Sequence, residues 1–290
     1  MKKSIVAVCL TGWLWAGSTM VQAADVQLTI STGKSGGGYY GIGERLKTVM
    51  AEQGVTVEVL TSVGSLENLN RLNDPGSPVN VGLTQADALK YFLGKQPEMA
   101  DKFMMLGEIG KECVFIISDR KSGIDSDSDL QDKKGNLIAV QSPNSGVAVT
   151  YEYMTQLEPK FKNTAPAFVD AMEALLQIKS GGPQNKIKAA MLVQRPSAKS
   201  PPMQVVLDNP KEFQFVSVTD WDLNDKLPDG TAVYTFEDVT VEKKNWGFDT
   251  KVDTICTRGL MIGAKDKLSP DLRENLAKVM LLAPGRVVGE

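Results

Sequence analysis

Histidine is absent from the 290 residues, and that one absence removes several chemistries together. No Ser-His-Asp or Cys-His relay, no imidazole metal site and no histidine pH switch can be built. Cysteine is scarce, at three, which excludes a small disulfide scaffold. Neither sign of charge dominates: 32 Lys and Arg stand against 35 Asp and Glu, a net −3. No basic stripe is present, so nucleic acid is not expected as a partner. An enzyme built on this chain would have to work with carboxylate, lysine, tyrosine or Ser-Lys chemistry. What remains is ordinary globular composition, 42% hydrophobic and 23% charged. The length suits about two domains at the usual ~100–200 residues each.

The N-terminus reads as an export signal. Lys2 and Lys3 precede an apolar stretch from Ile5 to Ala16, and Val21-Gln22-Ala23 supplies the small residues of a cleavage site. The apolar run is shorter than the ~20 residues of a spanning helix. Residues 1–23 are therefore expected to be removed, and the product to be soluble in the periplasm or otherwise outside the cytoplasm. Cys9 leaves with the leader. Cys113 and Cys256 remain, each within a β-like run, either as two separate buried thiols or as a disulfide between strands distant in sequence.

The first third alternates strand and helix. Extended runs at 26–30, 55–60 and 79–83 are separated by helical runs at 39–53 and 65–72 and followed by another at 87–93. Ile42, Leu46, Val49 and Met50 fall on one face of the first helix, the stripe that covers a sheet. After a strand at 112–117 and a polar stretch at 121–129, a second series begins. It has strands at 137–140, 167–169, 187–193 and 213–216, with helices at 146–156 and 171–178, and Asp170 and Glu173 set as a capping box. Extended segments at 231–241 and 252–262 and a last helix to Leu282 complete the chain. Such βαβ series predict an α/β protein of two lobes with mainly parallel sheets. Lobe I is expected to hold residues 24–115 plus about 235–290, and lobe II about 116–234, with a central cleft between them.

The sharpest motif is Ser31-Thr32-Gly33-Lys34-Ser35-Gly36-Gly37-Gly38-Tyr39-Tyr40-Gly41, between a strand and a helix. Glycines let the backbone approach a ligand, and a helix start offers free N–H groups and partial positive charge. Gly36, Gly38 and Gly41 satisfy G-x-G-x-x-G, but the second strand ends in Leu60-Thr61-Ser62 rather than the acid that a dinucleotide needs. The P-loop pattern fails as well, because no Gly-Lys-Ser/Thr closes it. No cofactor is expected, and no metal: Asp125-x-Asp127-x-Asp129 lacks the glycine and the final glutamate of a calcium loop. Polar residues recur at the next strand ends, in Thr61 to Asn68, Thr84 to Asp87 and Gln141 to Gly146. Arg195 is a further candidate, either a bidentate clamp for a carboxylate or a surface arginine before a turn.

Thr32-Gly33, Gly36-Gly37, Tyr39-Tyr40 and Gly43 open a pattern that Thr61, Gly64 to Asn68, Leu72, Gly82-Leu83 and Gln85-Ala86-Asp87 continue. With Ser122-Gly123-Ile124, Asp129-Leu130, Gly135 and Ser142 to Gly146, it resembles the TAXI family of TRAP-transporter solute receptors over residues 26–146. Val147 and the Val193-Gln194-Arg195-Pro196 run depart from that pattern. The resemblance implies a type II periplasmic binding protein; the chain is expected to be a monomer and not an enzyme. It would capture a small carboxylated solute, a glutamate-like amino acid or a dicarboxylate, for an integral-membrane TRAP permease. The ligand-facing positions it implies are Gly37, Tyr39, Ser62, Gly64, Ser65, Gln85, Asp87, Ser142, Ser145 and Gly146. Two other functions fit the same cleft: an exported enzyme with Asp87 or Tyr39 as acid–base, or a receptor module used only for protein contact. For the leader, mass spectrometry of the exported protein is expected to find Ala24 as the first residue; a retained Met1 would refute the signal.

Overall fold

The computed structural model describes residues 27–181, 184–244 and 246–289. The expected leader, residues 1–23, lies outside the described residues. The chain opens with β1 (Leu28–Ser31), α1 (Gly38–Ala51), β2 (Val57–Leu60), α2 (Ser65–Asn73), β3 (Val81–Gln85) and α3 (Ala86–Lys95). A 17-residue strand, β4 (Phe103–Asp119), leads into α4 (Asp127–Asp132), β5 (Asn136–Ala139), α5 (Gly146–Leu157), β6 (Thr164–Ala167) and α6 (Ala171–Ser180). Then come β7 (Ile187–Gln194), α7 (Pro201–Asp208), β8 (Phe213–Val216) and β9 (Thr235–Glu242). The 15-residue β10 (Thr250–Ala264), α8 (Pro270–Leu282) and α9 (Pro284–Val288) return the chain.

The sheet order is β2-β1-β3-β10-β4-β7-β5-β6, with β8 on β4 and β9 on β10. Each lobe has its own parallel trio: β2-β1-β3 in one, β6-β5-β7 in the other. Every residue of β1 and β3 is buried, as strands covered on both faces require. The stripe of α1 is buried as expected, Ile42, Leu46 and Met50 being within 1% of fully covered. It closes a core with Leu28, Ile30 and Leu276 of β1 and α8.

The trios are joined by β4 and β10, which pair antiparallel from Cys113–Cys256 to Phe103–Ala264. These two strands run through both lobes, as in the two-lobed type II periplasmic binding protein fold. They also correct the expectation of mainly parallel sheets. Four strand pairings are parallel and five antiparallel, because every contact of β4 and β10 runs the other way. The first half of β4 was not legible as a strand for a local reason. Its ladder slips at Gly259/Leu260 and at Met261/Ile262, and its burial repeats every third residue instead of every second.

One further expectation changes. Asp170 does cap α6, accepting the Met172 N–H at 3.0 Å, but the complete capping box belongs to Ser126 and Asp129 at α4. Asp127 accepts the Thr219 and Asp220 N–H groups at 2.6 and 2.7 Å, so the run of aspartates fastens a turn.

Cys113 and Cys256 face each other across the β4–β10 ladder and are joined as a disulfide, 143 residues apart in sequence. Closing so long a loop restricts the unfolded chain most. The Cys113→Ala/Cys256→Ala double variant is expected to lose about 2–5 kcal/mol in a urea titration. A loss within error of zero would show that the bond does not support the crossing strands.

Candidate functional site

A cavity of about 650 Å³ opens between the lobes, and helix starts from both lobes line it. Gly36 to Tyr39 bring the start of α1, Val63 to Ser65 that of α2, Ser145 to Val147 that of α5, and Ser200 and Pro201 that of α7. A helix leaves its first N–H groups without internal partners and carries partial positive charge there. At α1 and α2 the capping residues are Gly37 and Gly64, and neither start has a side-chain cap. The α5 start is capped by Ser145 on the Ala148 N–H at 3.1 Å, and α7 begins with two prolines that have no N–H to give. Amides at α1, α2 and α5 are thus the donors, and α7 adds mainly its dipole.

The loops hold these starts by side-chain stitching. Asn68 donates to the Thr32 and Leu83 carbonyls at 2.5 and 2.6 Å and accepts the Ser31 hydroxyl at 2.6 Å, tying β1 and β3 beneath the glycine loop. Glu67 accepts the Val63 N–H at 2.7 Å. Gly64 has φ +141°, and a Cβ there would lie 2.8 Å from the Gly146 nitrogen, so only glycine allows α2 and α5 to meet. The lobes also touch where the Glu67 N–H donates to the Asn144 carbonyl and where Lys34 approaches Asp170 at 3.9 Å. Gln141 and Asn144 both hold φ +64°, a conformation that non-glycine residues adopt sparingly and that clusters at binding sites.

On another wall the Tyr39 hydroxyl donates to Glu112 Oε2 at 3.0 Å. Protein encloses the Glu112 carboxyl on most sides, and burial is the main reason its pKa rises to about 7; the Asp87 charge adds to this, while Tyr39 and Arg195 oppose it. Lys34, Lys199 and Arg195 are the cations lining the cavity.

Of the expected ligand positions, Gly37, Tyr39, Gly64, Ser65, Gln85, Ser145, Gly146 and Arg195 line this cavity. Ser62, Asp87 and Ser142 do not. Ser62 donates to the Thr32 carbonyl at 2.9 Å and accepts the Gly64 N–H at 3.0 Å, bracing the loop. Asp87 is fully buried, accepting the Thr150 and Tyr234 hydroxyls at 2.6 and 2.9 Å, so it rivets α3 to α5. Burial raises its pKa against those hydrogen bonds. The Ser142 carbonyl accepts the Ser145 N–H and so shapes the turn from behind. Arg195 lines the cavity without clamping it: its guanidinium donates to the Ile109 and Val288 carbonyls at 2.9 and 3.0 Å. Glu112 and Lys199 were missed, and Gln141, named only within its strand-end run, joins them in the lining. Glu112 sits in an apolar-looking strand, and only the arrival of α1 brings Tyr39 to it.

The profile of the NMT1-like family matches residues 30–282. No curated protein matches the sequence. Among solved structures, the chain is similar to XAC2383 from Xanthomonas citri bound to ATP, at 13% identity, 90% of this chain, 86% of that one and a TM-score of 0.54. It is also similar to YhfZ from Shigella flexneri, at 11% identity, 91% of each chain and a TM-score of 0.50. The periplasmic aliphatic sulphonate binding protein SsuA from Escherichia coli follows at 12% identity, 92% and 80% coverage and a TM-score of 0.46. Identities this low speak to the fold alone.

The Glu112 carboxyl gives the apo protein a pH signature. Its pKa is about 7 when folded against an ordinary 4.5, so the folded state favours the protonated form. The stabilising contribution is complete below about pH 4.5 and is lost as pH rises through about 7. Glu112→Gln is expected to flatten the fall of Tm between pH 5 and 8, and an unchanged slope would assign that fall to other groups.

Proposed function

The chain belongs to the NMT1-like family, and from that membership and the cavity between its lobes we propose an extracytoplasmic solute-binding receptor for a small carboxylated solute. The observation that carries this reading is the convergence on one cavity of helix starts from both lobes, those of α1 and α2 without side-chain caps. Amides fixed there replace the water around a carboxylate at no cost in rearrangement, each charge-assisted bond contributing about 1.5–3 kcal/mol. Because the donors come from both lobes, a bound anion favours the arrangement in which α2 and α5 touch, and closure follows from differential binding. Lobe boundaries near residues 115 and 235 belong to the same reading.

A TRAP-type permease as the membrane partner is the finer part of the proposal. It is supported by the Thr32–Asp87 and Ser142–Gly146 motifs, most of whose ligand-facing positions line the cavity. Among the described residues no helix is long and apolar enough to cross a membrane. The proposed permease is the component that would carry the solute across. The fold and family favour binding over turnover, and the absence of histidine is consistent with this.

A thermal-shift panel of amino acids, dicarboxylates and monocarboxylates tests the reading. A bound solute at 100 times its Kd is expected to add about 2.7 kcal/mol of stability, and to be recovered unchanged. No stabilisation by any member, or consumption of the bound compound, would overturn it.

A further inference from the structure

Glu112 is the one acidic side chain among the residues lining the cavity. Its Oε2 accepts the Tyr39 hydroxyl, and among the described residues it forms no ion pair. Arg195 lies near enough to act on it electrostatically but spends its hydrogen bonds on the Ile109 and Val288 carbonyls. Thr257, directly across the β4–β10 ladder from Glu112, is 1% exposed, and its hydroxyl has no partner among the described residues. Directly opposed residues share a face, with Cβ atoms about 4.5–5.5 Å apart. A carboxyl and an unpaired hydroxyl therefore stand side by side on one face of the crossing strands.

An anion cradle gains nothing from a carboxylate in its wall. A ligand carrying only negative charge would meet repulsion there or require the carboxyl to hold a proton. A ligand with a cationic end removes the conflict, because its ammonium donates to the free carboxylate oxygen while its carboxylate takes the helix amides. We propose that Glu112 is the specificity-determining residue of the cavity, selecting a zwitterionic solute whose protonated amine seats on its carboxylate beside Tyr39. The inference rests on the receptor reading above and narrows its ligand from carboxylated solutes at large to those that also carry an amine.

Calorimetric titration with pairs of probes that differ only in the amine tests it: L-glutamate against glutarate, L-aspartate against succinate, and each other L-amino acid against its des-amino acid. Wild type is expected to bind the best amino acid about 10- to 100-fold more tightly than its des-amino partner. Glu112→Gln keeps the shape of the side chain and is expected to abolish that preference while still binding the des-amino acid. Should the Gln variant not fold, Glu112→Asp, which withdraws the carboxylate by one methylene, must reduce the preference. Equal or tighter binding of the des-amino acids by wild type would overturn the proposal and leave the anion receptor standing. A preference that survives in a folded Glu112→Gln would overturn the assignment to Glu112. Binding of neither class would overturn the receptor reading itself.

Discussion

The pairing of β4 with β10 is the constraint on which the rest of the molecule depends. Two strands of 17 and 15 residues, about 50–58 Å long at ~3.4 Å per residue, belong to both lobes at once. Each parallel trio is completed by them, β3 against β10 and β7 against β4. Neither lobe's sheet is complete without this shared ladder. The Cys113–Cys256 bond fixes its register where the pairing of β4 passes to β7. Glu112 stands next to that bond and Arg195 follows the last residue of β7, so the crossing carries charge directly into the cavity wall.

Around that fixed crossing, the site is made from backbone rather than from reactive side chains. Uncapped starts at α1 and α2 leave donors that a ligand can use, and Gly64 lets α2 approach α5 closely enough to share it. The polar side chains nearby mostly serve this geometry. Asn68, Ser62 and Asp87 spend their hydrogen bonds on loop and helix positions, with little left for a solute. This division of labour suits recognition without transformation: amides hold charge well, but they do not transfer protons.

The contrast between Glu112 and Asp87 shows how burial sorts two acids of the same chain. Both are raised by desolvation. Asp87 has two hydroxyls and a backbone N–H to satisfy it and is closed off. Glu112 has one hydroxyl and an opening. An acid satisfied on all sides is structural, whereas an acid with a free oxygen at a cavity wall is available to a partner.

Local chemistry sufficed for much of this in the sequence. The apolar stripe of α1, the strand–glycine–helix junctions and the absence of histidine each act over a few residues, and they determined an α/β chain with glycine-rich strand-to-helix loops and no imidazole chemistry. Asp87 and Ser62 fall outside the cavity lining because a polar residue at a strand end serves a solute or a neighbouring helix equally well until the neighbour is known. Glu112 was invisible for the converse reason, since its role depends on Tyr39, 73 residues away, and on a ladder whose bulges hide its alternation. Only the tertiary structure decided which helix starts share one cavity, that the two cysteines are joined, and that the arginine holds backbone carbonyls. Those outcomes rest on contacts between distant segments, and such contacts are set by the packing of whole elements rather than by the propensities of neighbouring residues.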